Sequence, residues 1–490
     1  MKNKKINANA ELKQKAISGV IWSSIQKFGT MGISFVSNII LARLLTPDDY
    51  GCVGMLMIFI TVANTFIDGG FGSALIQKKQ PTQEDYSTIF YWNLALSFIL
   101  YAILFFTSPL IAGFYNLAML SPVLRVQGLV LILNSLSIIQ LNRLRKQLKF
   151  KKISIVSLTS ATISVGVTIY LAYNGWGVWA LVAQQLLMSF FNTVLFWIVA
   201  GWMPSFIFSY QSFKELFSFG GFILLSNLLN TLGNNIQGIL IGKFFSSHTM
   251  GLYSQARKLE EVASTSLSNV VDQVSFPVLA EVKNDKTRLI NVLRKLITSI
   301  AFFSFPIMLL LIAIAKPVIV LLYSSKWIEC VPYFQILCVA GIAISLQNIN
   351  YYAVAAIGKS KDLFNWTLIK RIVCFALIII GFLIYDIWGL LGGMVIGSYV
   401  MYIINAILVS NRIGYKLSKQ IRDLIPILIV ALLSYVLATV SMFFNLSSLT
   451  AILVTSFTFM VSYLLLSCIF LKDKVKDLKE MLSSLKFNKS

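Results

Sequence analysis

Apolar runs long enough to cross a bilayer follow one another along nearly the whole chain, and the short segments between them carry most of its positive charge. A spanning helix takes about 20 apolar residues, so about fourteen spans are predicted. They lie approximately at 17–42, 49–76, 87–113, 120–141, 153–173, 176–200, 213–243, 249–280, 289–323, 331–357, 363–385, 387–410, 422–444 and 448–471. With 57% hydrophobic and 12% charged residues, the chain lacks the polar groups a soluble fold needs to cover its surface. It reads as an all-α polytopic membrane protein. The net charge of +22 would point to nucleic acid in a soluble protein, but here the cations sit in the connections and report topology. No nucleic-acid partner is expected.

Basic residues also set the orientation. Lys2, Lys4, Lys5, Lys13 and Lys15 precede the first span, and Lys78 and Lys79 follow the second. Further clusters fall around Arg143 to Lys152, at Lys283, Lys286 and Arg288, at Lys359 and Lys361, and from Arg412 to Arg422. All of these share one face if the number of spans is even, which places both termini in the cytoplasm. The N-terminus shows no small-residue cleavage pattern before a short apolar core, so no signal peptide is expected to be removed. The five cysteines form no CxxC pair and mostly fall within apolar runs, as small buried hydrophobes do.

A repeat organises the spans. Residues 41–51 read LARLLTPDDYG and residues 241–251 read IGKFFSSHTMG in the same register. The match continues from 108–115 (SPLIAGFY) to 316–323 (KPVIVLLY), from Pro122 to Pro332, and from Trp176-Gly177 to Trp388-Gly389. It also identifies the eighth span, which hydropathy alone would pass over because it contains YSQARKLEE. Six spans per unit is an even number, so the two units are parallel repeats, the arrangement from which alternating-access transporters are built. The predicted organisation is 1–200 and 201–412 for the repeats, 413–472 for two additional spans, and 473–490 for a basic tail with the spacing of an amphipathic helix.

Polar side chains inside spans cost free energy unless they face protein or water. Lys27, Thr30, Ser34 and Asn38 form one stripe of the first span, and Asn227, Asn230, Asn234 and Gln237 form one of the seventh at largely repeat-equivalent positions. The second span offers Thr61, Asn64 and Asp68, and the eighth offers Arg257, Glu261, Ser264, Ser268 and Asp272. Matched polar faces in both halves are what a water-filled path between them requires; taken singly, hydroxyls and amides also serve as interhelical hydrogen-bond partners. Lys27 has no acid within one turn, whereas Arg257 has Glu261 one turn on. Arg125, close to the start of the fourth span, is placed to bind substrate or to snorkel to the interface. The single histidine, His248, falls in an outer connection, and no zinc set or catalytic triad assembles around it. Asp48 and Asp49 read as helix-start acids. No catalytic constellation and no cofactor are expected.

The runs at 37–51 (SNIILARLLTPDDYG), 68–79 (DGGFGSALIQKK) and 108–116 (SPLIAGFYN) resemble the polysaccharide transporter branch of the multidrug/oligosaccharidyl-lipid/polysaccharide exporter superfamily, the Wzx-type flippases. The resemblance implies a V-shaped bundle of two six-helix lobes with two extra helices in a bacterial cytoplasmic membrane. It implies transfer of a polyprenyl-pyrophosphate-linked oligosaccharide to the outer leaflet, for O-antigen, capsule or exopolysaccharide, alongside a polymerase and other glycan assembly proteins. It also implies a cationic cavity in which Lys27 and Arg257 are partners. Glu260 and Glu261, beside Arg257 and Lys258, depart from that cationic pattern. Asp68 or Asp272 is the expected uptake point for a coupling H+ or Na+. The competing readings are a multidrug cation exporter of the same superfamily, a membrane polysaccharide polymerase or ligase, and a scaffold. The first wants carboxylates in the first half, and spans one and three to six contain none.

Overall fold

In hydrocarbon no water satisfies a backbone N–H or C=O, so a chain this apolar must close its hydrogen bonds within each segment. The computed structural model describes residues 2–358, 360–440, 444 and 447–476; residues 2–16, 265, 267–274, 360, 361 and 363–365 enter through their backbone alone. Among the described residues there is no strand, and the helices are α1 Lys2–Leu44, α2 Pro47–Asp68, α3 Phe71–Gln77, α4 Gln83–Phe114, α5 Leu120–Gln127, α6 Leu129–Lys146, α7 Phe150–Tyr173, α8 Val178–Ala200, α9 Tyr210–Phe244, α10 Ser247–Glu281, α11 Lys286–Ala313, α12 Ala315–Tyr323, α13 Cys330–Ala356, α14 Ser360–Arg412, α15 Leu417–Thr439 and α16 Ser448–Phe470.

Eleven helical stretches among the described residues are long and apolar enough to cross a membrane. Large side chains such as Phe106, Leu110, Phe222 and Ile198 stand exposed on them. A soluble protein does not leave so much apolar surface in water, so these faces meet lipid and the chain is a multi-pass membrane protein. One stretch, Trp366–Arg412, spans 47 residues. At about 1.5 Å per residue it is far longer than a hydrocarbon core of about 30 Å. It is two passes: the backbone leaves helical geometry at Tyr385 and Asp386, between the predicted spans 363–385 and 387–410. The arms then return against each other so closely that a Cβ on Gly381 would lie 2.1 Å from the Gly389 carbonyl oxygen.

Two spans predicted as continuous are broken. The 49–76 run divides where Gly69 and Gly70 take left-handed torsions and the 289–323 run divides at Ile314, whereas the 120–141 run passes Gly128 with helical torsions as one membrane-length stretch. Hydropathy reads composition and is blind to these torsions. Helix starts follow local chemistry: Thr46 with Asp49 and Thr82 with Asp85 form complete capping boxes, which satisfy backbone donors left open by the helix geometry. Pro47 at the first helical position gives up no hydrogen bond.

The chain divides into two compact units, Met1–Gly251 and Leu252–Ser490. In the first, α1 packs on α7, α7 and α6 on α8, α4 on α6, and α9 along α2 and α3. In the second, α13 packs on α14 and α11, α11 on α15, and α16 on α15 and α12. Cys52, Cys330, Cys338 and Cys374 are buried, and Cys468 is exposed. Residues 472–476 continue as helix after α16, and the rest of the predicted amphipathic tail lies outside the described residues.

Candidate functional site

The stripe on α1 is set by what its neighbouring face is already bonded to. Gln26 Nε2 donates to Ser157 Oγ (3.0 Å), Ser154 Oγ to the Trp22 carbonyl (2.7 Å), and Gln184 Nε2 to Ser37 Oγ (3.0 Å). This seam holds α1 to α7 and α8. Lys27 and Ser34 lie about a quarter turn away and are exposed, while Thr30 bonds back to the Gln26 carbonyl and Asn38 is half-buried.

On α2, Asn64 Oδ1 accepts from Asn134 Nδ2 of α6 at 3.1 Å, and Thr65 Oγ1 meets Thr231 Oγ1 of α9 at 3.2 Å. Asp68 is half-buried at the end of α2, within the field of the Arg145 guanidinium. α9 approaches closely because a side chain is missing on both sides: a Cβ on Gly70 would lie 2.4 Å from the Gly220 carbonyl oxygen. Beside this contact line run Asn227, Asn230 and Asn234, all exposed, and Gln237, which is 8% exposed with no hydrogen-bond partner for its Oε1. Lys78, just past α3, ties this end together by donating to Asp85 and Glu215, each at 3.0 Å. Burial disfavours its charge, but the two carboxylates outweigh that and hold the ammonium above the usual lysine range.

Arg125 is held by α4. Its Nε donates to Ser108 Oγ (2.8 Å), and its guanidinium covers the Phe105 ring at 4.6 Å. It therefore packs as a helix fastener. The two copies of the signature touch each other. A Cβ on Gly51 would lie 1.8 Å from the Ser247 carbonyl oxygen, and a Cβ on Gly251 would lie 1.8 Å from that of Pro47. The first turns of α2 and α10 thus cross through equivalent glycines. Asp49 caps α2 as read from sequence, Asp48 accepts from Ser247 Oγ, and His248 Nδ1 is 3.5 Å from Asp48. His248 is in the first turn of α10 and not in a connection.

In Leu252–Ser490, Arg257 Nε donates to Glu261 Oε1 (2.9 Å) and its Nη1 to Tyr253 Oη (3.3 Å). The one-turn pairing read from the sequence is present. Glu260 is 5% exposed, and its Oε1 is turned toward Gly341 of α13 without a hydrogen-bond partner. Ser264 is buried; the side chains of Ser268 and Asp272 lie outside the described residues.

Two charged groups escaped the reading of residue patterns. Lys370 is 7% exposed; its Nζ donates to Asn405 Oδ1 (2.8 Å) and stands 5.9 Å from the Tyr351 ring. Arg294 Nε donates to Asp423 Oδ2 at 2.6 Å. The signal for the first is a lysine inside an apolar run, as for Lys27. The second was hidden because its partner lies 129 residues away.

Known proteins place this architecture. The chain is 28% identical over 436 residues to the teichuronic acid biosynthesis protein TuaB of Bacillus subtilis, covering 88% of this chain and 89% of that protein. It is 24% identical over 403 residues to the lipopolysaccharide biosynthesis protein WzxC of Escherichia coli, covering 81% and 80%. It is 25% identical over 354 residues to the succinoglycan biosynthesis transport protein ExoT of Rhizobium meliloti, covering 72% and 71%. Its fold matches the lipid II flippase MurJ with a TM-score of 0.75 at 15% identity, over 93% of this chain and 100% of that one. It also matches an inward-facing multidrug transporter of the MATE family with a TM-score of 0.61 at 16% identity, over 81% and 98%. Residues 40–332, more than half of the sequence, match the family described as Polysaccharide biosynthesis protein, and the chain belongs to that family.

Proposed function

We propose that this protein is a flippase that carries a polyprenyl-pyrophosphate-linked oligosaccharide from the cytoplasmic to the outer leaflet of a bacterial inner membrane. The observation that carries the reading is the conjunction of family membership with a MurJ-like fold whose α1 and α9 leave Lys27, Ser34, Asn227, Asn230 and Asn234 exposed. Sugar hydroxyls need such amides and hydroxyls, and a diphosphate leaving water needs a cation. In this reading α1 and α10 cross the bilayer as well, both termini are cytoplasmic, and repeated exchange of access moves the headgroup while the prenyl chain stays in lipid. No cofactor takes part, and no bond is made or broken. H+ or Na+ taken up at Asp68 or Asp272 drives the cycle, and a polymerase receives the product.

The test is the sidedness of lipid-linked oligosaccharide in cells lacking the protein, scored with an impermeant sugar-oxidising reagent. Complete units trapped on the cytoplasmic leaflet are expected. Complete units on the outer leaflet would overturn the reading in favour of a polymerase or ligase, and an unchanged pool would favour drug export. Lys27→Ala should lower export about tenfold or more at unchanged expression, the equivalent of about 1.4 kcal/mol of lost attraction; retained export would remove Lys27 from the path.

A further inference from the structure

One end of the second unit holds a cavity of about 830 Å³ whose charged lining residues are mostly cations. Asp285, Arg288, Asn291, Lys295 and Thr298 reach it from a single face of α11, since they recur every three or four residues. Arg422 and Asp423 enter from the start of α15, and Asp473 and Lys474 from just beyond α16. Five cations, counting Arg294, therefore converge on three carboxylates.

Five cations against three carboxylates leave two positive charges in excess, and two of the carboxylates already have partners. Asp423 accepts from both Arg294 and Tyr415, with Lys474 at 3.7 Å. Asp285 accepts from the Arg288 backbone N–H at 3.0 Å as the cap of α11. Arg288 and Arg422 form no ion pair among the described residues, and Thr287 and Asn291 add neutral donors beside them. Two guanidiniums facing a concave, donor-rich surface match phosphate oxygens, which they can bind through paired N–H groups. The basic loops assign this end of the helices to the cytoplasm, where acidic lipids meet basic pockets between helices. On α15 the neighbouring stripe of Ile421, Ile425 and Ile429 is exposed, so acyl chains have an apolar wall directly beside the cavity.

We propose that this cavity is a phosphate-anion site, filled by the headgroup of an acidic phospholipid from the adjoining leaflet. The inference is independent of the cargo, since every group it uses lies at one end of α11, α15 and α16.

The experiment uses the full-length protein purified in detergent, with phosphatidylglycerol, phosphatidylcholine and inorganic phosphate as probes, read by native mass spectrometry and thermal unfolding. Phosphatidylglycerol should stay bound and raise the midpoint, and phosphatidylcholine should do neither. The Arg288→Gln/Arg422→Gln pair should weaken phosphatidylglycerol binding about 25-fold, about fivefold per cation, while Arg288→Lys/Arg422→Lys, which keeps both charges but loses the paired N–H groups, should fall between the Gln pair and the unaltered protein. Stabilisation by millimolar inorganic phosphate equal to that by the lipid, and lost in the Gln pair, would keep the phosphate site and overturn the lipid source. Equal binding of the two lipids, or a Gln pair that binds like the unaltered protein, would overturn the site altogether.

Discussion

Within Met1–Gly251 the helix interiors are joined by neutral side chains: Gln26 to Ser157, Ser37 to Gln184, Gln127 to Gln185, and Ser97 to Ser135. Its cluster of Lys78, Asp85 and Glu215 sits at helix ends. Within Leu252–Ser490 charged groups enter the interior, with Lys370 bonded to Asn405 and Glu260 set against Gly341. A neutral amide left unmatched in hydrocarbon is tolerable, because it finds another partner; an unmatched ammonium is not. The links named in the first unit are individually weak and replaceable, whereas the Lys370 ammonium of the second requires its partner.

That contrast can be broken most severely where the copies behave alike. Alanine at Gly51 or Gly251 would place a methyl group 1.8 Å from a carbonyl oxygen of the crossing helix. Each substitution should therefore cost more than about 4 kcal/mol, seen as loss of folded protein in detergent. If only one of the two were damaging, the crossing would not be the symmetric element it is taken to be.

Asn405→Leu should come next, at about 2–4 kcal/mol in reversible unfolding, because it strands the Lys370 ammonium. Adding Lys370→Met should recover most of that loss, and a double-mutant cycle without coupling would show that the pair carries no such dependence. The smallest effect is expected for Ser157→Ala, about 0.6 kcal/mol, because Gln26 keeps its other options. A loss comparable with that of Asn405→Leu would erase the distinction between the units.

Much of the fold was legible because apolar length and loop charge are local properties. The turn between the predicted spans at 385 and 387 was placed correctly. α10 was found only through its repeat partner, since YSQARKLEE masks it. The breaks at Gly69–Gly70 and Ile314 were not legible, because each lies inside an apolar run and consists of backbone torsion alone. For the candidate path, helical spacing identified the exposed stripes of α1 and α9. It did not show that Arg125 fastens α4 while Lys27 stands exposed on α1.

The amino-acid sequence by itself determined that the chain is a bundle of membrane helices, that its signature occurs twice, and which positions on each helix are polar. Those properties depend on residue type and on neighbours within a few turns. Only the tertiary structure decided which polar group is spent on packing and which is left facing outward. It brought Lys370 to Asn405 across 35 residues and Arg294 to Asp423 across 129. It also seated Gly51 against Ser247. Such pairings are set by how helices cross, and crossing is fixed by the fit of whole surfaces, which no local run of residues contains.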